Sequence, residues 1–487
     1  MSNSSLFFLK LSLCILTITI SVIGYPPCNA KALEEGRVLG EFLIGFKGSS
    51  EEAASLVEAA GGIVLDRIDA IHVLVVKFEN LNIQSFAEPL KESIFTFIEP
   101  NGLVKIPVEF GDIVNASDAS AAFTPNDTFW SSDPMSLKGQ WNLRVIQADK
   151  AWDIQTGTRS VMVAVVDTGV FRDHVDLKSC YIAGGRDWVN NDDEPDDDHG
   201  HGTAVAGVIA AETNNAYGVA GLAQVSILAE KALDRTGAGT WANVAKAIVH
   251  AADTGAHIIS MSFGGYTSSA TLESAVKYTY DKGCLLVAAA GNGNTDRPFY
   301  PAALPNVLAV ASTYGEDDQR APYSNFGEYV DISAPGGFDV NLNGRVDIGE
   351  HWILSTYREN DKFVYLYGTS LAAPHVSGLA ALYKSRYPKA TCIQIEEILK
   401  RTAEDIGPKG WDPYYGYGRI NAYAMLTLPP APLVGGKAEL LHVSEYISER
   451  VLCTDYTLFA FFLSAIVTVY VTVGCSGLWI HILRKKP

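Results

Sequence analysis

The sequence predicts an α/β fold: a three-layer domain on a mainly parallel sheet, preceded by a small α+β domain and followed by a C-terminal transmembrane helix. Three observations predict it. Within residues 122–428, near-continuous apolar runs alternate with helical segments and glycine-rich turns, as in a parallel sheet buried on both faces. Residues 36–106 read strand, helix, two strands, helix, strand, the order of a split βαβ sandwich. Residues 456–483 contain no Lys, Arg, Asp or Glu.

In chain order, residues 1–30 have the layout of an export signal. Lys10 precedes an apolar run at 11–23, then a breaker cluster, then small residues at 28–30. That run is short for a membrane span. Residues 31–121 hold the small domain and a linker. Residues 41–46 are β-rich and 50–60 have helical spacing. Residues 63–78 alternate about Asp69-Ala70, 83–91 are helical and 94–106 extended. From 107 to 127, Ala, Ser, Asn and Asp without sustained periodicity read as linker. In the large domain, strands are expected at 160–166, 258–261, 285–290 and 307–311. Prolines and glycines open a second linker, 429–455. As a helix, residues 457–480 would reach about 36 Å, enough to span a bilayer with some tilt. Arg484, Lys485 and Lys486 then place residues 484–487 in the cytoplasm and the large domain on the extracytoplasmic side.

The chain of 487 residues is long enough for a large core, and its net charge of −18 repels phosphate backbones, which excludes nucleic acid as a default partner. Its 7 cysteines are too few and scattered for a disulfide scaffold, and Cys284, leading an apolar strand, reads as a buried hydrophobe.

The chemistry concentrates in three segments. An apolar strand ends in Asp167-Thr168-Gly169, putting a carboxylate at the carboxyl edge of the sheet, where α/β folds bind ligands. His199-Gly200-His201-Gly202-Thr203 opens an apolar helix. In Gly368-Thr369-Ser370-Leu371-Ala372-Ala373-Pro374-His375, Ser370 falls in the first turn of a helix of small residues, beside N–H groups suited to an oxyanion. Pro374 is tolerated near that turn.

Two acidic features point to cations. Residues 339–350 fit the twelve-residue calcium loop, with side-chain oxygens at Asp339, Asn341, Asn343, Asp347 and Glu350 and a main-chain carbonyl at Arg345. Flanking helices are not evident, so the loop reads as an insertion between strands rather than an EF-hand. Residues 192–198 hold six carboxylates, either a solvated, self-repelling turn or a cation site; the sequence leaves both open.

The three segments, in the order Asp, His, Ser, resemble those of the subtilisin-like serine proteases, over about 300 of the 487 residues. Residues 36–106 then resemble the family's propeptide, a ferredoxin-like intramolecular chaperone and inhibitor. The resemblance implies Ser370 as nucleophile, His201 as general base and acid, and Asp167 as its orienting carboxylate. His201 is preferred to His199 because it directly precedes Gly-Thr. Asn292 matches the oxyanion-hole asparagine. Segments containing Ser262, Phe263 and Gly264, and Gly237 and Gly239, match edges that hold extended peptide substrates. Phe263 and Trp241 imply a broad hydrophobic preference. Asp127, Asp176, Asn215, Tyr217 and Val219 fall where the family has a calcium site. Leu371 stands where methionine is common; it cannot form a sulfoxide, so peroxide tolerance is expected.

The expectation is a secreted, membrane-tethered serine endopeptidase made as a self-processing zymogen, with structural Ca2+. Its partners would be polypeptide substrates, its own propeptide and membrane lipid. The alternative is a catalytically inactive calcium-binding adhesion protein on the same fold.

Overall fold

Apolar alternation in the first segment builds an antiparallel sheet. Strands β1 (Arg37–Phe46), β2 (Ile63–Ile68), β3 (Val73–Lys77) and β4 (Phe95–Lys105) lie in the order β2-β3-β1-β4. On one face Ile44, Phe46, Leu74 and Val76 bury Ala53, Ala54 and Val57 of helix α1 (Ser50–Ala59). The opposite-facing Leu43, Val73 and Val75 belong to the core of the large domain. The computed structural model describes residues 37–78, 94–107, 109–115, 125–130, 139–342, 351–434 and 437–438. The predicted signal, the 83–91 helix, positions 343–350 of the calcium loop, the transmembrane helix and the cytoplasmic tail lie outside the described residues. Among the described residues no helix is long and apolar enough to cross a membrane.

One part of the expected linker is a strand. β5 (Glu109–Asn115) pairs antiparallel with β16 (Lys362–Tyr367), which pairs in turn with β15 (Ile353–Thr356). Gly, Asp and Asn interrupt the apolar pattern of β5, so its order comes from a partner more than 200 residues away, which periodicity does not report.

The main sheet comprises β6 (Met162–Asp167), β7 (Tyr181–Asp187), β8 (Ser226–Lys231), β10 (Ile258–Met261), β11 (Leu285–Ala289), β12 (Val307–Tyr314), β13 (Gln319–Arg320) and β14 (Ile332–Pro335). Its order is β13-β12-β11-β10-β6-β8-β7, with β14 also on β12; β13 pairs antiparallel and the others parallel. Strand alternation sorts the core into two layers. Val163, Val165, Ile227 and Ala229 face helices α4 (His201–Ala210), α7 (Thr369–Arg386) and α8 (Cys392–Thr402). Ala164, Val166 and Leu228 face α5 (Trp241–Asp253) and α6 (Ala270–Asp281). Short helices α2 (Trp141–Val145), α3 (Ala148–Trp152) and α9 (Ala422–Thr427) close the first layer. The alanines of α7 let it lie buried in the core up to Tyr383.

The small domain docks on the N-termini of α5 and α6. Glu99 accepts from Ser269 Oγ at 2.8 Å and from the Ala270 and Thr271 N–H groups at 2.9 Å. Asn101 Oδ1 accepts from Ala242 N at 3.2 Å, and Asp66 pairs with Lys246. A carboxylate there meets unsatisfied N–H groups and the positive end of the helix.

Candidate active site

Asp167 ends β6, and its Oδ1 accepts from Thr168 N at 2.7 Å and from His201 Nδ1 at 2.8 Å. His201 begins α4; both side chains are fully buried, and among the described residues His201 Nε2 has no hydrogen-bond partner. Asp197 shapes the turn before His201. It accepts from Thr168 Oγ1, the N–H groups of His199, Gly200 and Thr203, and Thr203 Oγ1, all at 2.6–2.9 Å. The other carboxylates of residues 192–198 are also engaged. Asp192 takes Glu194 N, Asp193 pairs with Arg186, Glu194 and Asp196 with Arg172, and Asp198 with the buried Lys231. Apart from the buried Asp197 these carboxylates stay exposed, as a solvated turn has them, while protein donors brace the loop. Lys231 Nζ also donates to Thr168 O at 2.7 Å, tying the end of β8 to the Asp167 turn.

Ser370 sits in the first turn of α7. Thr369 before it donates to Asn292 Oδ1 through its N–H at 3.0 Å and its hydroxyl at 2.7 Å, which turns Asn292 Nδ2 outward. Gly368 has φ +150°, and a Cβ there would come within 2.9 Å of Asn292 Nδ2 and 3.0 Å of Ser370 Oγ, so a side chain would fill the space between them. Pro374 is the sixth residue of α7, past the first turn, and cannot donate to Ser370 O. Ser262 Oγ supplies that bond at 2.7 Å. Ser262 and Phe263 are fully buried, so their side chains do not line the cleft. His375 Nδ1 donates to Leu371 O and its Nε2 accepts from Asn142, bracing the same turn.

The end of the small domain occupies the cleft. Leu103, Val104 and Lys105 pair with Thr240, Gly239 and Ala238 of β9 (Ala238–Thr240). On the other side Lys105 and Gly264 exchange N–H···O bonds of 3.0 Å, while along the β9 edge Ile106 N donates to Gly237 O at 3.1 Å. Gly237, Gly239 and Gly264 thus hold an extended strand by main-chain bonds, while the Trp241 ring packs beneath Gly102. This strand delivers the Pro107 carbonyl oxygen to Asn292 Nδ2, which donates to it, and to Ser370 Oγ at 3.5 Å. Around it open Tyr266, Phe299 and Tyr323, aromatics that no sequence motif marks, and Tyr367, which directly precedes the Gly368-Thr369-Ser370 turn. The Phe299 ring lies against Gly264 and Gly291. His199 is half-buried beside His201, and burial holds its pKa below the usual imidazole value.

Asp127, Asp176, Asn215, Tyr217 and Val219 also converge. Asp176 accepts from Asn215 Nδ2 at 2.7 Å and Val219 N at 2.9 Å; Asp127 accepts from the N–H groups of Asn214 and Asn215; Asn215 Oδ1 accepts from Tyr217 N. Burial pushes Asp176 up to about 8 and Asp127 up to about 6; the Asp127 and Glu212 charges raise Asp176 further. Among the described residues no cationic side chain pairs with either. Two buried carboxylates without a cationic partner leave negative charge for a cation such as calcium to offset, while their side-chain hydrogen bonds all come from N–H groups. Asp339 is buried, and Asn341 is exposed; Asn343, Arg345, Asp347 and Glu350 lie outside the described residues.

Two buried histidines set an acid limit on the fold. Burial pushes His174 and His375 down to about 4 from 6.5. Below pH 6.5 the unfolded chain takes up these protons and the folded protein does not, so their contribution is complete above 6.5 and drains as pH falls toward 4. A His375→Gln variant lacks one such site, so its melting temperature, lower than wild type at pH 7, converges on it between pH 6.5 and about 4. A constant gap contradicts this.

Residues 158–418 match the model of the subtilase family, and residues 29–101 that of the fervidolysin N-terminal prodomain. The chain belongs to the subtilase family. It is 38% identical over 394 residues to the thermophilic serine proteinase of Bacillus sp. strain AK1, covering 80% of this chain and 88% of that protein. It is 42% identical over 302 residues to thermitase of Thermoactinomyces vulgaris, covering 62% of this chain and 98% of thermitase. The crystal structure of fervidolysin from Fervidobacterium pennivorans, a keratinolytic enzyme related to subtilisin, superposes with TM-score 0.68 at 28% identity, covering 82% of this chain and 62% of that one. This subtilase is a serine protease with an N-terminal prodomain, and the inactive alternative is not favoured.

Proposed function

We propose that this subtilase is a serine endopeptidase made as a zymogen that cuts its own Pro107–Val108 bond. The observation that carries the reading is the Pro107 carbonyl, held by strand pairing against Ser370 and Asn292. Ser370 Oγ attacks that carbon and passes its proton to His201 Nε2, which has no other partner among the described residues. Asp167 receives the Nδ1–H of His201, fixes the tautomer and stabilises the imidazolium. Asn292 Nδ2 and the N–H groups opening α7 face the oxyanion. His201 then protonates the Val108 amine as it leaves, and water hydrolyses the Pro107 acyl-enzyme. The released prodomain, still paired through β4 and capping α5 and α6, acts as an inhibitor until it dissociates or is degraded. The test is peptide hydrolysis by the purified wild type: a protein that folds but hydrolyses no peptide contradicts the reading.

Calcium belongs to the same proposal. Asp127, Asp176 and Asn215, with main-chain oxygens nearby, would hold one ion, and residues 339–350 a second; each would supply structural charge compensation rather than chemistry. Chelation with EDTA is expected to lower the melting temperature and the resistance to proteolysis, and added calcium to restore both. No change in either measurement contradicts it.

The tether at 456–483 completes the proposal, on its uncharged length and basic flank, with the catalytic domain extracytoplasmic. Full-length protein is expected to stay with membranes under alkaline extraction; release into the wash contradicts a spanning helix.

A further inference from the structure

The chain continues past Pro107 along a second sheet edge. β16 has β15 on one side, and β5 alone on the other. The register sets Glu109 opposite Tyr367, Phe110 opposite Leu366, Ile113 opposite Val364 and Asn115 opposite Lys362. Tyr367 directly precedes the Gly368-Thr369-Ser370 turn, so this ladder starts at the reacting serine and runs away from it.

Two positions on β5 have shaped surroundings. The Phe110 ring meets His199 edge-on with centroids 5.3 Å apart and Tyr357 at 6.3 Å, over an apolar floor of Trp141, Val208, Ile353, Leu366 and Leu371. Gly111 lies against Trp352, where a Cβ would come within 2.6 Å of the indole. None of this is needed to bring Pro107 to Ser370, since β9 and Gly264 already hold that half of the strand.

We infer that the edge of β16, with the His199–Tyr357 notch and the Trp352 wall, is a second substrate-binding site. It takes polypeptide on the C-terminal side of the cut bond by strand addition, through the eighth residue beyond it. Backbone pairing supplies affinity with little regard to sequence. Selectivity comes from the third residue after the bond, aromatic or large apolar to fill the notch, and the fourth, which must be glycine or very small. In the precursor β5 fills this site; after the cut it is tied to the protein only through its own C-terminal continuation, and competing chains can replace it. The enzyme would thus favour long, extended polypeptides over short peptides.

The inference rests on the assignment of Ser370 and the Pro107–Val108 bond, and the test separates the two. Processed wild-type enzyme is given three peptides: the thirteen residues 103–115, the seven residues 103–109, and the thirteen-residue peptide carrying Phe110→Asp and Gly111→Val. All three are expected to be cut between Pro and Val. The short and the substituted peptides should each show kcat/KM lower by roughly tenfold or more, mostly through KM, as loss of several cross-strand contacts implies. Equal kcat/KM for all three overturns the second site and leaves the Ser370 reading intact. Failure to cut any of them overturns that reading, and the inference with it.

Discussion

Ser370→Ala should lower kcat for peptide hydrolysis roughly a million-fold and leave the prodomain covalently attached. In the proposed mechanism the Ser370 hydroxyl, which faces the Pro107 carbonyl, forms the acyl bond, and His201 takes its proton. Removing the hydroxyl should leave the fold intact: the Ser370 main chain is held by Ser262, and among the described residues the hydroxyl bonds to the Pro107 carbonyl alone. The variant should therefore match the wild-type precursor in melting temperature while remaining uncut on a denaturing gel. Processing at the wild-type rate would mean that another protease makes the cut, and retained hydrolysis would remove Ser370 from the mechanism.

Asn292→Ala is the second large effect, a loss of about 100- to 1000-fold in kcat with KM little changed. Asn292 Nδ2 donates to the oxygen on which negative charge develops, and Thr369 fixes the orientation of the amide through Oδ1. The donor strengthens as charge accumulates, so its loss falls on the transition state rather than on binding. Thr369→Val keeps the shape but removes the hydroxyl, and should reproduce part of the loss in kcat. A variant whose KM rises while kcat holds would make Asn292 a substrate-binding group instead.

Much of this architecture was legible because it follows from local chemistry. The apolar runs that become β6, β10, β11 and β12 can only be strands buried on both faces, and small side chains over α7 announce a helix deep in a core. Asp167, His201 and Ser370 stand at element ends near glycines, but it is the resemblance to the subtilisin-like proteases, not any one segment alone, that implies their roles. What was not legible depends on distant partners. Ser262 looks like a cleft residue until Pro374 is seen to leave Ser370 O without its helical donor. Asp197 cannot be told from its acidic neighbours until five donors are found converging on one carboxylate. β5 reads as linker because its order is conferred by β16. Phe299 and Tyr357 carry no motif, since a wall of a cleft needs only bulk in the right place.

The zymogen reading makes one bond the centre of the account. Purified precursor, prepared inactive at a temperature or pH that blocks processing and then released, can be followed by intact mass at several protein concentrations. The predicted result is a first cut between Pro107 and Val108 at a rate independent of concentration, as an intramolecular strand already seated at Ser370 requires. A first cut at another bond, or a rate proportional to concentration, would contradict it.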